Sequence, residues 1–280
     1  MLKSIDQSDD LGEVALTLWA ARAHGHPEAN RARDKLKALH PETGAFPTVE
    51  LAWSLKALLV GDHPGDETAL AESLARRLLY SFQFQSALFP HWPADVPVPW
   101  WRAHVTCFAD QVYPIHALAH YYGITGEPRA KTTAVQSAEK ICSLQGAAGQ
   151  WWWHYDVRTG RVLEGYPVYA VHQDAMAPMA LFDLEKACGV SCKNAVDLGM
   201  CWLLNAPEIS GSLWDNDAGV IWRKVARHEP GKLVRGLQAM ASRVHPRLHI
   251  PMNRMFPPGC IDYESRPYHM GWILYAWRGG

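Results

Sequence analysis

The chain has almost no net charge, no long apolar run and no obvious disulfide framework, and each absence removes a class of function. Lys and Arg number 27 against 28 Asp and Glu, a formal charge of −1, so no basic field spreads over the surface to attract nucleic acid or anionic lipid. No stretch of about 18 apolar residues occurs, which argues against a spanning helix. The six cysteines (Cys107, Cys142, Cys188, Cys192, Cys201 and Cys260) are scattered. The opening Met1 to Asp10 is polar rather than leader-like, so free thiols and a cytoplasmic location are expected. Cys188 and Cys192 stand four apart without a second pair, and His116 and His120 stand four apart without a third ligand. No metal and no cofactor are therefore expected.

What the chain does have is tryptophan and histidine, 13 and 14 of them in 280 residues. Apolar residues make up 48% and charged ones 20%, enough for the core of a single domain over 1–280. Helical periodicity punctuated by Gly or Pro predicts helices over Leu11–His24, Pro27–Leu39, Val49–Val60, Glu67–Ser86, Thr106–Tyr122, Pro128–Gln145, Val171–Ala187, Cys192–Asn205 and Lys232–Arg243. No alternating run bounded by hairpin turns stands out, so the reading is all-α. Aromatic turns recur after pairs of helices, at Gly44 to Phe46, Leu88 to Trp92, Gly149 to Trp151 and Gly211 to Trp214. Spacing of about 45 to 60 residues is the scale of helical-hairpin arrays. A lone hairpin cannot bury its apolar face, whereas closing an array into a ring gives every hairpin two neighbours. The expectation is an α/α toroid of about five to six hairpins, with its loops gathered at one rim. The proline- and tryptophan-rich stretch Phe89 to Trp101 is one such loop.

Asp110 and Gln111 open one apolar helix, and His172, Gln173 and Asp174 open a later one. In a toroid both sets point to the same rim, where Asp110, His172 and Asp174 are candidate acid, base and water-orienting groups. Helix capping is the competing role for both aspartates. Trp151, Trp153 and His154 are candidates for a wall on which sugar rings stack, against the alternative of a packed turn. Glu264, Arg266 and His269 crowd a carboxylate, a guanidinium and an imidazole near the C-terminus. Arg266 suits a substrate carboxylate, unless it serves a structural pair with Glu264. Arg158, Arg161, Glu164, Asp183 and Glu185 read as solvated charges.

The spacing Gln145-Gly-Ala-Ala-Gly149-Gln-Trp151 resembles the repeat of squalene-hopene cyclases, with a degraded copy from Asn205 to Trp214. That resemblance implies a structural tie between a helix end and the following turn. The Asp-x-Asp-Asp acid motif of those cyclases is missing. A second resemblance covers Phe108 to Leu184. The run from Asp110 to Pro128, ending Thr125-Gly126-Glu127-Pro128, with Gly149 to Asp156 after it, is similar to unsaturated glucuronyl and rhamnogalacturonyl hydrolases. It implies a six-hairpin toroid acting on unsaturated uronides, with Asp110 at the position of the catalytic aspartate; Gln111 and Gln173 are substrate-binding candidates by their place beside the candidate acids rather than by that resemblance. The chain departs from that family where Val168 to Met176 replaces its Arg-Gly-Asn-Gly-Trp, and it is shorter. Three functions stay open: a carbohydrate-active hydrolase taking an oligosaccharide or small molecule, a terpenoid-cyclase-like enzyme, and a non-catalytic scaffold binding a glycan or protein. None calls for nucleic acid or a membrane span, and the oligomeric state is open.

Overall fold

In a computed structural model, residues 2–61, 65–227, 239–243 and 255–278 are described. The helices in chain order are α1 (Leu11–Ala23), α2 (Ala29–Ala38), α3 (Thr48–Leu58), α4 (Gly65–Ser81), α5 (Ala109–Thr125), α6 (Pro128–Ser143), α7 (Ala177–Cys188), α8 (Lys193–Leu204) and α9 (Pro267–Ala276). Their burial sorts them into two layers. On α6 the buried Ala130, Ala134, Ala138 and Ile141 form one stripe, and α2 buries only Ala32 and Leu36. One-sided helices of this kind belong outside. On α5 every residue from Asp110 to Ala119 is buried, which requires neighbours on all sides. The inner helices α1, α3, α5 and α7 pack in succession, each followed by its outer partner, and α9 packs on α7. The ring closes where Trp19 of α1 meets Trp272 and Tyr275 of α9, with centroids 5.7 and 5.6 Å apart.

Side chains of α1, α3, α5, α7 and α9 meet in one cluster: Trp19, Lys56, His116, Asp183 and Tyr275. Asp183 accepts from His116 Nε2 at 2.7 Å and from Lys56 Nζ at 3.3 Å. Lys56 also meets His120 Nδ1 at 2.6 Å and lies 5.7 Å from the Trp19 ring. Burial pushes the Lys56 amine down to about 8 and the His116 imidazole down to about 4. Burial acts to raise the Asp183 carboxyl, but His116 and Lys56 outweigh it and hold it well below the usual carboxylate range. Asp183, read from its sequence context as a solvated charge, keeps a partly exposed side chain but is the anion that both His116 and Lys56 share.

The all-α expectation needs one correction. A three-stranded antiparallel sheet joins β1 (Val105–Cys107), β2 (Trp152–Asp156) and β3 (Arg161–Pro167), and two short ribbons pair β4 (Trp214–Asp215) with β5 (Val220–Ile221) and β6 (Lys224–Ala226) with β7 (Cys260–Asp262). The β2–β3 pairing shifts register on either side of His154, which breaks the alternation that would have marked the strands. Smaller differences follow local chemistry. Helix α4 stops at Ser81, after which Gln83 bridges to Leu88. Helix α5 starts after β1 and runs to a left-handed Gly126. Lys232–Arg243 lies largely outside the described residues, and 239–243 are helical. Short α9, with Pro267 at its start and Gly271 inside it, carries no one-sided stripe that would reveal it.

The Gln145 to Trp151 turn does structural work, as the cyclase resemblance implied. Gln145 donates to the carbonyls of Gly149 at 2.7 Å and Ala195 at 2.9 Å, tying α6 to α8. Gly149 has φ +100°, and a Cβ there would lie 2.0 Å from the Leu198 carbonyl oxygen. Gly149→Ala is expected to cost about 2–4 kcal/mol through backbone collision and strain. Gly25→Ala, at φ +60° with open space around it, is expected to cost only about 1–2 kcal/mol. Thermal unfolding of the two variants separates the effects, and equal melting temperatures would refute the account of this turn.

Candidate active site

The inner helices present their N-termini at one end of the ring. β1 delivers the chain into α5 so that the fully buried Asp110 carboxylate turns back on it. It accepts from the Cys107 amide at 2.8 Å and the Thr106 hydroxyl at 3.1 Å. His91, on the rim loop, places Nδ1 3.1 Å from both carboxylate oxygens. The His91 side chain is 40% exposed and Asp110 is not exposed at all, so solvent meets the imidazole first. The hydrogen bond to Asp110 raises the His91 pKa above its ordinary value. Nearby, burial and then the Asp10 charge raise Glu50, and burial beside Asp110 pushes the Cys107 thiol well up. Pro114, four residues after Asp110, has no N–H to close the helix onto the Asp110 carbonyl.

Gln111 does not face a ligand. Its Oε1 accepts from the Phe89 amide at 2.8 Å and its Nε2 donates to the Phe89 carbonyl at 2.9 Å and to Thr106 Oγ1 at 2.9 Å. It is a buried strut pinning the rim loop, and the substrate-binding expectation for it is corrected accordingly.

The second cluster stands on a π-helical turn, His172–Met176, that runs into α7. The Ala177 amide reaches the His172 carbonyl. Pro178 cannot donate to the Asp174 carbonyl, and the Trp277 indole does so instead at 2.7 Å. The His172 ring meets Trp153 at 5.0 Å, Tyr169 at 5.9 Å and Phe108 at 6.2 Å, all edge to face. Burial, helped by the His269 charge, pushes His172 down to about 3, so its imidazole is neutral near pH 7. Its Nδ1 is buried without a hydrogen-bond partner among the described residues. Phe108, two residues before Asp110, brings this aromatic wall close to that carboxylate along the chain.

Asp174 turns to α9 instead. Its carboxylate oxygens lie 2.8 Å from His269 Nε2, and burial raises its pKa against that hydrogen bond. It borders an apolar groove of about 440 Å³ between Met200, Trp214, Val220, Met270 and Trp277. Gln173 and Trp151 are fully buried against Gly199, and Trp151 also packs on Phe108 at 5.5 Å. Neither offers a surface to a sugar, which corrects both expectations. The exposed part of the wall is Trp153 crossed with Tyr169 at 4.7 Å.

His154 is half-buried, with Nδ1 3.3 Å from Glu164, and Glu164 is closed by an ion pair with the buried Arg227. Burial alone would raise the Glu164 carboxyl, but the bonds from His154 and Arg227 win and hold it at about 2. Glu264 pairs with both Arg223 and Arg266, so the structural pair foreseen for Arg266 is present. The Arg223 guanidinium and the Lys224 amine lie 4.7 and 5.2 Å from the Tyr169 ring. Among the described residues, Arg223, Lys224 and Arg266 cluster with the carboxylates of Asp262 and Glu264.

Sequence reasoning missed His91, Thr106, Tyr169 and Arg223. A usable signal was the repeated Asp-x-x-x-Pro, Asp110 to Pro114 and Asp174 to Pro178, which marks two inner helices with a carbonyl released from the helix.

No protein-family model matches the sequence, and no curated protein matches it. Solved structures do. A D-mannose isomerase matches with TM-score 0.58 at 14% identity, over 78% of this chain and 62% of the other. An unsaturated glucuronyl hydrolase from Bacillus sp. GL1 matches with TM-score 0.54 at 12% identity, over 96% and 72%. An unsaturated glucuronyl hydrolase variant with dGlcA-Glc-Rha-Glc matches with TM-score 0.54 at 13%, over 98% and 75%. The fold is an α/α toroid. The chain spans less than two thirds of the isomerase and about three quarters of the hydrolases. No described helix is long and apolar enough to cross a membrane.

Glu164 binds its proton more weakly folded than unfolded, so its contribution to stability is complete above pH 4.5 and fades as pH falls towards 2. Glu164→Gln is expected to flatten the loss of stability across that interval, by roughly 3 kcal/mol at most. Urea unfolding at pH 7, 4.5 and 3 tests it: the same pH slope in both proteins would be evidence against the buried pair.

Proposed function

We propose that this chain is a carbohydrate-active hydrolase taking a uronic-acid-bearing oligosaccharide, with Asp110 as the proton-transferring group. The observation that carries the reading is the buried Asp110 carboxylate facing the half-exposed His91, beside an aromatic wall of Trp153, Tyr169 and His172. Sugar rings offer apolar faces to such a wall, and a positioned carboxyl is what enol-ether hydration needs. In that reaction the acid gives its proton to one alkene carbon, water oxygen bonds the other, and the water proton returns to the carboxylate. One water is added, and the resulting hemiketal opens to release the neighbouring sugar. The Arg223 guanidinium, set 4.7 Å from the Tyr169 ring of that wall, suits a substrate carboxylate. The glucuronyl hydrolases among the structural neighbours supply the substrate class.

A second reading rests on His172 and on the isomerase neighbour. The His172 imidazole, edge to face with Trp153 and with an Nδ1 that has no partner among the described residues, is placed to hydrogen-bond an open-chain sugar whose proton moves between adjacent carbons.

The test is turnover on lyase-generated unsaturated oligosaccharides and their saturated counterparts, followed by loss of ultraviolet absorbance and by reducing ends, with mannose-to-fructose conversion in parallel. Asp110→Asn is expected to lower hydration by about 10²–10⁴-fold with an unchanged circular dichroism spectrum. Activity indifferent to that change would remove Asp110 from the chemistry. Conversion of mannose alone, lost in His172→Ala, would establish the isomerase reading instead.

A further inference from the structure

We propose that His91, Cys107 and Asp110 form a binding site for a borderline-soft divalent cation, Zn²⁺ or Co²⁺, at the N-terminal end of α5. The His91 nitrogen, the Cys107 sulfur and an Asp110 oxygen all lie within 4.8 Å of one another. A four-coordinate ion with bonds of about 2.0–2.3 Å draws three such atoms to separations of about 3.5 Å, so modest inward movement completes the set. A nitrogen, a thiol and a carboxylate are the donors of zinc-type sites rather than of calcium or magnesium sites.

The surroundings supply what first ligands need. The Asp110 carboxylate is oriented by the Cys107 amide and the Thr106 hydroxyl, and ligands held in this way bind more tightly. Cys107 is fixed in β1 by its pairing with His154. The rim loop at His91 is anchored by the Thr48 amide on the His91 carbonyl at 2.9 Å. The exposed flank of His91 gives a path in and leaves the fourth position to water. On binding, the thiol proton passes to solvent, and thiolate and carboxylate together balance the two positive charges. An ion so placed takes the lone pairs of Asp110 and would inhibit the hydration proposed above. That consequence rests on the catalytic reading, whereas the binding itself does not.

The experiment is titration of the chelator-treated, full-length protein with Co²⁺ alone. The readouts are thiolate-to-cobalt charge transfer in the near ultraviolet and the visible bands of a four-coordinate ion. One equivalent is expected, displaced by Zn²⁺. Cys107→Ser should lose the charge-transfer band, and His91→Ala, a change at a half-exposed position, should weaken binding about tenfold or more. Cys142 and Cys192 are a close pair of thiols away from this site, so Cys192→Ser is the control and should keep the full signal. Absence of the bands in the native sequence overturns the proposal, as does their loss in Cys192→Ser with retention in Cys107→Ser. A cobalt signal together with an active Asp110→Asn variant would retire the catalytic reading and leave the metal site standing.

Discussion

Five side chains, one each from α1, α3, α5, α7 and α9, converge in a single cluster, and the rest of the molecule is arranged around that meeting. Removing an ammonium group from water costs several kcal/mol, and only close partners offset it. Lys56 is 3% exposed and has those partners only while α3, α5 and α7 keep their relative rotation. A slip of any one of them would strand a charge. Trp19 adds the apolar half of the constraint by touching His116, Lys56, Trp272 and Tyr275 at once. The closure of α9 onto α1 is therefore held by side chains more than by backbone proximity.

At the other end the ring is built from interruptions. Pro114 and Pro178 each remove one hydrogen bond from an inner helix, and the chain accepts that loss at the two places where Asp110 and Asp174 are buried. At Asp174 the compensation is visible, because the Trp277 indole replaces the missing amide. The π turn re-aims His172, Gln173 and Asp174 in three directions: towards the aromatic wall, into the core and onto α9. A regular α-helix would have spread these residues by its own period, and only one of the three stands at the wall.

The helices were legible in the sequence where their burial is one-sided or complete, as in α6 and α5, because periodicity reports burial directly. The sheet was not, since the register shifts around His154 scramble the alternation. The position of Asp110 at the head of a buried helix was legible from the apolar run that follows it. Its neighbour Gln111 was misread because sequence does not say that a side-chain amide will pair with the Phe89 backbone. Trp151 and Trp153 are two residues apart on a bulged strand, and burial divides them between core and wall. Charges were hardest to place: Glu164 and Asp183 looked solvated, yet their partners Arg227, His116 and Lys56 come from distant segments that local context cannot reveal.

The knot of Trp19, Lys56, His116, Asp183 and Tyr275 also joins the first α-helix of the chain to its last described one, through the contact of Trp19 with Tyr275. Bringing such distant segments together carries a large loop-closure entropy that must be met before the contact stabilises anything. The ring is therefore sealed by the pairing that is slowest to find in a folding chain.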